Sequence, residues 1–247
     1  MHAGRAATPE SLLPQVYLPA RKGSLQAEML AAARRHRVVA YPLAPRLEDL
    51  LQEVAAGNPV LVLQNLALDW APQWHYAVAI GYDLEARRIV LRSGVTPRLA
   101  MSLDTFERTW ARSGYWAMLA LPPDQLPAVP AETTYVAAVA ALERVTPAAA
   151  RHGYETALAR WPGNAAARIG LGNASYALRD LKAAAAAYRQ ATLAHPDLAD
   201  AWNNLAQTLH ELGIRDEALA AARRAVALGG PRLAGYRETL EGIERER

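Results

Sequence analysis

A regular repeat in the second half of the chain, with a period of about 34 residues, is the feature that most constrains its fold. Tyr154 and Tyr188 are one such period apart, and so are Leu171 and Leu205. Small residues and prolines recur with the same spacing, namely Ala150, Ala184 and Ala218, then Ala157, Ala191 and Ala225, and finally Pro162 and Pro196. Several positions that repeat together at this length predict a stack of helical units.

This pattern resembles the tetratricopeptide repeat, in which each unit consists of two antiparallel helices. The recurring alanines would lie where the two helices cross closely, and the proline would end the second helix. The resemblance implies an all-α domain of three repeats, 131–164, 165–198 and 199–232, followed by a capping helix at 233–247. Apolar residues at helical spacing between Leu233 and Ile243 fit a cap whose outer face is charged.

Polar residues on the first helix of each unit are the candidates for a concave binding face. The candidate peptide-binding residues are Asn173, Asn203, Asn204 and Gln207. Asn203 and Asn204 resemble the positions at which such repeats grip a peptide backbone. The expected partner is a peptide or protein, and the alternative is a solvated face without a ligand.

The first half of the chain has a different pattern, with short apolar runs rich in β-branched and aromatic residues. The first two predicted helices are one capped by Thr8 and one over Leu25–His36 capped by Ser24. The other two are one over Arg46–Ala56 and one that ends at about Arg112 and is capped by Ser102 or Asp104. The predicted strands are Val38–Tyr41, Pro59–Leu66, His75–Tyr82, Arg88–Arg92, Leu99–Leu103 and Tyr115–Leu121. Helices that precede a mostly antiparallel sheet predict an α+β domain over 1–121.

Four prolines between the two halves predict a boundary. They are Pro122, Pro123, Pro127 and Pro130. Proline cannot occupy a helix interior or a central strand without losing a hydrogen bond. We therefore interpret 122–130 as a semi-rigid linker.

Composition excludes several classes of site and partner. The 247 residues contain no cysteine, which excludes disulfides, thiolate metal sites and a cysteine nucleophile within them. The net charge of +3 is spread along the chain, so no nucleic-acid partner is expected. No apolar run is long enough for a transmembrane segment. No metal or cofactor is expected, because no two of the histidines lie at ligand spacing: His2, His36, His75, His152, His195 and His210.

His75 begins a strand in the segment Trp74–Asp83, which reads WHYAVAIGYD. A histidine held at the start of a strand can serve as a general base, although a structural histidine is the simpler interpretation. The segment resembles the histidine half of the bacteriocin-processing cysteine peptidases, whose domains are papain-like. Three further segments resemble a subgroup of that family fused to tetratricopeptide repeats, namely Thr8–Glu10, Val16–Pro19 and Gly23–Gln26.

The resemblance implies a site made of a glutamine, a cysteine nucleophile, a histidine and an aspartate. His75 matches the histidine and would be a vestigial general base. Ser93 occupies the approximate position of the acid, where it cannot offset the charge of an imidazolium, and Asp83 is an alternative acid. The Gln…Cys-Gly-Pro segment is not part of this chain, and Met1–Ala7 resembles the turn that would follow it. In this form the chain is not expected to be a cysteine peptidase.

Two functions stay open. The first is a catalytically incomplete peptidase-like domain joined to a peptide-binding array, whose longer parent would cleave exported peptides in the bacterial envelope. The second is a non-enzymatic scaffold in which the repeats recruit a partner. A polar cleft around an exposed His75 would favour the first, and a buried, paired His75 the second. A hydrolase that uses Ser93 or Ser24 is disfavoured, because neither serine lies in a nucleophile motif.

The absent cysteine segment has three open explanations, which are a coding start assigned too late, a truncation and a natural loss. In each case the groove that its helix would fill is expected to be exposed. An exposed apolar groove favours self-association, so a homodimer through this groove is predicted.

Overall fold

A computed structural model describes residues 8–21 and 23–245, which fall into two compact units. The first unit extends to Ala138 and the second begins at Val139. The division therefore falls within helix α5 (Glu132–Glu143) rather than in the predicted linker. The expected match of Met1–Ala7 to a helix end and turn lies outside the described residues.

The first unit is built on an antiparallel sheet. Its described strands are β1 (Val39–Pro42), β2 (Val60–Asn65), β3 (Trp74–Asp83), β4 (Arg88–Ser93), β5 (Thr96–Ser102) and β6 (Ala117–Leu121), in the spatial order β1-β6-β2-β3-β4-β5. Its helices before α5 are α1 (Pro9–Val16), α2 (Gln26–Arg35), α3 (Leu47–Ala55) and α4 (Leu103–Ala111), with a 3-10 turn at Pro19–Arg21. The predicted α+β architecture is confirmed at this level.

Two helices of this unit, α1 and α4, begin at side chains that cap them. The Thr8 hydroxyl accepts from the Ser11 amide at 3.3 Å, and the Ser102 hydroxyl accepts from the Thr105 amide at 3.2 Å, as expected for N-caps. The predicted cap at Ser24 is wrong, because α2 is preceded by Leu25 without a side-chain cap. The Ser24 carbonyl instead accepts from the hydroxyl of Tyr76 at 3.4 Å.

Strand alternation fixes the core of the sheet. In β3 the buried residues Ala77 and Ala79 lie two positions apart, and they pair with Val62 and Val60 of β2 on the same face of the sheet. Helix α4 packs on β2 at this face and contributes Phe106 and Trp110, both with no exposed surface. The strand residues that complete this core are Val60, Val62, Ala77, Ala79, Ile89 and Leu91.

The proline-rich segment is held against the first unit by a buried carboxylate. Glu53 of α3 has no exposed surface, and its Oε2 accepts from the Ala128 amide at 3.0 Å and from Asn58 Nδ2 at 2.7 Å. Its Oε1 accepts from the Val129 amide at 2.9 Å. Gln125 adds a hydrogen bond from Nε2 to Asn58 Oδ1 at 2.9 Å. The interpretation of 122–130 as a linker therefore needs correction, because its backbone amides satisfy a buried charge within the first unit.

The second unit consists of helices that recur with the period predicted from the sequence. They are α6 (Pro147–Arg160), α7 (Ala165–Ala177), α8 (Leu181–Ala194), α9 (Ala199–Glu211), α10 (Arg215–Leu228) and α11 (Leu233–Arg245). The alanines that recur once in every repeat all have no exposed surface, namely Ala150, Ala184, Ala218, Ala157, Ala191 and Ala225. They lie where neighbouring helices approach, as their recurrence predicts.

Replacement of Glu53 tests how far the first unit depends on this carboxylate. Glu53→Ala leaves the buried side-chain amide of Asn58 and the partly buried backbone amides of Ala128 and Val129 without their acceptor. Because an unsatisfied buried donor costs about 1–3 kcal/mol, we expect the free energy of unfolding of this unit to fall by about 3 kcal/mol. Hydrogen exchange read at the two amides together with urea unfolding measures the loss. Glu48→Ala, an exposed change in the same helix, is the control, and equal exchange in both variants would contradict the expectation.

Candidate functional site

A polar cleft of about 220 Å³ lies on the repeats of the second unit. It is lined by Asn173, Tyr176, Tyr188, Asn204, Gln207 and Thr208. Asn173 in α7 and Gln207 in α9 are one repeat period apart, so they occupy equivalent positions in successive repeats. The repeat geometry therefore brings side-chain amides from two units into one cleft.

Hydrogen bonds within the cleft leave several polar groups free. Asn173 Oδ1 accepts from the Tyr188 hydroxyl at 2.8 Å and from Asn204 Nδ2 at 3.3 Å. Gln207 Nε2 reaches the Tyr176 hydroxyl at 3.5 Å, the limit of a hydrogen bond. The amide N–H groups of Asn173 and the side-chain carbonyl oxygens of Asn204 and Gln207 have no partner among the described residues. The cleft thus offers both donors and acceptors.

The two phenols of the cleft are neutral donors. Burial raises the pKa of Tyr188 far above its usual range. The Tyr176 hydroxyl donates to Glu211, and this hydrogen bond, more than burial, raises the pKa of Tyr176. Arg179 Nη1 donates to Glu211 Oε2 at 3.1 Å, which pairs the carboxylate beside the cleft. The lining of the cleft therefore carries no unpaired charge.

A glycine positions Tyr188. A Cβ atom on Gly172 would come within 2.3 Å of Cε1 of the Tyr188 ring, closer than atoms can approach. The ring therefore lies directly against the backbone of α7, and its hydroxyl reaches Asn173 one residue further along.

The sequence predicted part of this cleft. Asn173, Asn204 and Gln207 line it, whereas Asn203 does not, and its buried Oδ1 has no hydrogen-bond partner among the described residues. Neighbouring residues on a helix point about 100° apart, which separates Asn203 from Asn204. Tyr176, Tyr188 and Thr208 also line the cleft and were not predicted from the sequence. Tyr176 follows Asn173 by three residues, a spacing that places two side chains on one helix face. This spacing could have identified Tyr176 from the sequence.

In the first unit, the structure brings together two of the three predicted catalytic positions. His75 Nε2 lies 2.8 Å from Ser93 Oγ. The register explains this contact, because Ser93 in β4 lies opposite Ala77 in β3, two residues beyond His75 on the same face. Both side chains are half-buried.

Asp83 is excluded as the acid partner of His75. It lies at the opposite end of β3, eight residues further along an extended strand, which corresponds to about 26 Å. Its Oδ1 accepts from the amide of Ala86 at 2.9 Å in the turn after the strand. Among the described residues, Ser93 is the hydrogen-bond partner of the imidazole, so no carboxylate orients it.

Tyr76 follows His75 on β3 and leaves the strand on the opposite face. Tyr76 lies edge-on to Trp116 with ring centroids 5.7 Å apart, and burial raises the pKa of Tyr76 to about 12. A serine hydroxyl can accept from an imidazole N–H and fix its tautomer, but it supplies no negative charge. The pair could hold or move a proton, and no sulfur nucleophile is available within the chain.

Other kinds of site have no support in the part of the chain that the structure describes. No three of its histidine, aspartate and glutamate side chains gather as a metal site would require. None of its helices combines the length and the apolar character needed to cross a membrane.

Comparison with known proteins identifies the repeats. Residues 135–192 and 174–232 match the family model described as tetratricopeptide repeat. The second half of the chain therefore carries tetratricopeptide repeats, as the period of its sequence predicts. These findings give no support to the peptidase resemblance of residues 1–121. A search of curated proteins found no match.

Two solved structures show a weak likeness. A crystal structure of MamA protein is 19% identical with a TM-score of 0.39, and the match covers 44% of this chain and 61% of that one. A crystal structure of MamA is 17% identical with a TM-score of 0.40, and covers 59% of this chain and 84% of that one. The chain thus matches less than two thirds of the first structure.

Replacement of Gly172 tests the packing that shapes the cleft. Gly172→Ala forces the Tyr188 ring away from α7, and overpacking of this kind costs about 1–3 kcal/mol. We expect the urea midpoint of the second unit, followed by circular dichroism, to fall accordingly. In the control Gly235→Ala the new Cβ meets nothing within 4 Å, and stability should hold or rise. Equal stability of the two variants would refute this account of the contact.

Proposed function

We propose that this chain is a scaffold whose tetratricopeptide repeats bind an extended polypeptide segment in the cleft of the second and third repeats. The observation that carries the proposal is the set of unpaired amide groups in one cleft, contributed by Asn173, Asn204 and Gln207.

The chemistry of these groups fits a peptide backbone. A backbone in extended form presents N–H donors and C=O acceptors in alternation. Asn173 offers amide hydrogens to a carbonyl, while Asn204 and Gln207 offer carbonyl oxygens to an N–H. Since Glu211 is paired with Arg179, the lining favours a neutral backbone over a charged ligand.

Continuity between the two repeats supports an extended ligand. The hydrogen bond of 3.3 Å between Asn204 and Asn173 places groups of α9 and α7 side by side. An extended peptide advances about 3.3 Å per residue, so about three residues reach past a hydrogen-bonded pair of side chains. A segment a few residues long could therefore contact both repeats.

Peptide selection tests the proposal. A displayed library of random linear ten-residue peptides is selected on the full chain, and affinities are measured by isothermal titration calorimetry. In the double variant Asn173→Ala and Asn204→Ala, we expect binding to weaken by about 25-fold, because each lost hydrogen bond is worth about fivefold. Gln190→Ala, an amide change on α8 outside the cleft, should leave affinity unchanged. Peptides that bind the double variant as tightly as the unchanged chain would overturn the proposal.

A second candidate function is supported by the contact of 2.8 Å between His75 and Ser93. We propose that His75 serves as the general base of a cysteine-peptidase site whose nucleophile comes from outside these 247 residues. The imidazole would take the thiol proton, and Ser93 would fix its tautomer. In this form the chain would not cleave peptides, and the repeats would present the substrate of the longer protein.

The coding DNA immediately upstream of Met1 tests this second function. An in-frame Gln…Cys-Gly-Pro segment is the expected result, and restoring it should give thiol-dependent cleavage of peptides. His75→Ala in that longer protein should lower the rate by about 10²–10⁴-fold, and His152→Ala should leave it unchanged. An upstream stop codon or an unrelated sequence would rule the peptidase function out.

A further inference from the structure

The first unit carries an exposed apolar surface that neither proposed function uses. Five large apolar side chains form it, and we call them the apolar tip: Leu66, Leu68, Trp70, Trp74 and Val95. Trp70 is 83% exposed and Trp74 is 55% exposed. Soluble monomers rarely group exposed apolar side chains in this way unless the surface binds something.

The sheet topology places these residues at one end of the sheet. Strand β2 ends at Asn65 and its antiparallel neighbour β3 begins at Trp74, so the loop 66–73 joins them at that end. Strand β4 ends at Ser93 beside the start of β3, and the turn at 94–95 leads into β5. Both connections therefore project from the same end, while the turn after Asp83 lies at the other.

The loop is held in shape with its apolar side chains outward. Asn65 is buried, and its Oδ1 accepts from the amides of Ala67 at 3.1 Å and Gln73 at 2.9 Å. Arg112 Nη1 donates to the Ala67 carbonyl at 2.8 Å. Leu68 also pairs with Ala71 through an isolated bridge. Trp70 is thus exposed in a loop whose backbone is held in place by hydrogen bonds.

The charge around the tip is positive. Arg92 and Arg98 lie at this end on the neighbouring strands β4 and β5, both exposed, and neither has an ion pair among the described residues. Segments 65–75 and 92–98 together contain one acidic residue, Asp69, whose carboxylate lies 3.8 Å from the guanidinium of Arg112. Cations placed close together without counter-ions favour an anionic partner.

We propose that the apolar tip binds the surface of an anionic lipid bilayer. Tryptophan side chains are favoured at the boundary between headgroups and hydrocarbon, where Trp70 and Trp74 would insert. The guanidinium groups of Arg92 and Arg98 would meet lipid phosphates. Apolar side chains on projecting loops need a matching pocket in a protein partner, whereas a bilayer receives them without one.

Vesicle co-sedimentation with the full chain tests the proposal. We expect binding to vesicles of phosphatidylglycerol and phosphatidylcholine in equal parts, and little binding to phosphatidylcholine alone. The double variant Arg92→Gln and Arg98→Gln should weaken partitioning by about 25-fold, because each arginine near such a surface contributes about fivefold. Trp70→Ser with Trp74→Ser should also abolish sedimentation, and added salt should weaken that of the unchanged chain.

Matched controls come from the opposite end of the same sheet. Leu84 is 59% exposed and Arg88 is exposed, so Leu84→Ser with Arg88→Gln removes similar groups away from the tip. This variant should bind vesicles like the unchanged chain. Equal binding to both kinds of vesicle, or none to either, would overturn the proposal. A third result would also overturn it, namely that the unchanged chain binds no vesicles and is a dimer by light scattering, while the tryptophan variant is a monomer. The apolar tip would then be a protein interface.

Discussion

Two tyrosine rings lie directly against glycine backbone in the repeats, and the arrangement of the polar cleft depends on one of these contacts. A Cβ on Gly172 would come within 2.3 Å of Tyr188, and one on Gly170 within 2.2 Å of Tyr154. Since protein interiors are close-packed, each ring has one place to lie. Because Gly172 has no side chain, the Tyr188 ring can lie where its hydroxyl donates to Asn173 Oδ1. This hydrogen bond uses the carbonyl oxygen of Asn173 and leaves its amide N–H groups free.

A buried carboxylate has a comparable role in the first unit. Proline lacks an N–H, so a segment with four prolines cannot hold itself in place by regular secondary structure. The amides that remain, at Ala128 and Val129, find their acceptor in Glu53. The charge of Glu53 is in turn tolerated in the interior because three N–H donors satisfy it. Composition alone indicated a linker, and one distant side chain makes it part of the folded unit.

The sequence predicts features that depend on near neighbours or on a regular spacing. The caps at Thr8 and Ser102 act over three residues, and the repeats follow from their constant period. Features that depend on register or on distant contacts could not be predicted. Asn203 and Asn204 are the same residue type, and only their different directions around the axis of α9 place Asn204 in the cleft and Asn203 outside it. Asp83 is near His75 in sequence and far from it in space, because the strand between them is extended.

The alternation of side chains along β3 keeps the surfaces of the first unit separate. Successive residues of a strand point to opposite faces, so Trp74 and His75 leave the strand on opposite sides. A partner that covers Trp74 would therefore not have to displace the contact between His75 and Ser93. The amide cleft belongs to the second unit and shares no residue with either surface. The strand geometry of the first unit thus keeps the apolar tip apart from the contact between His75 and Ser93.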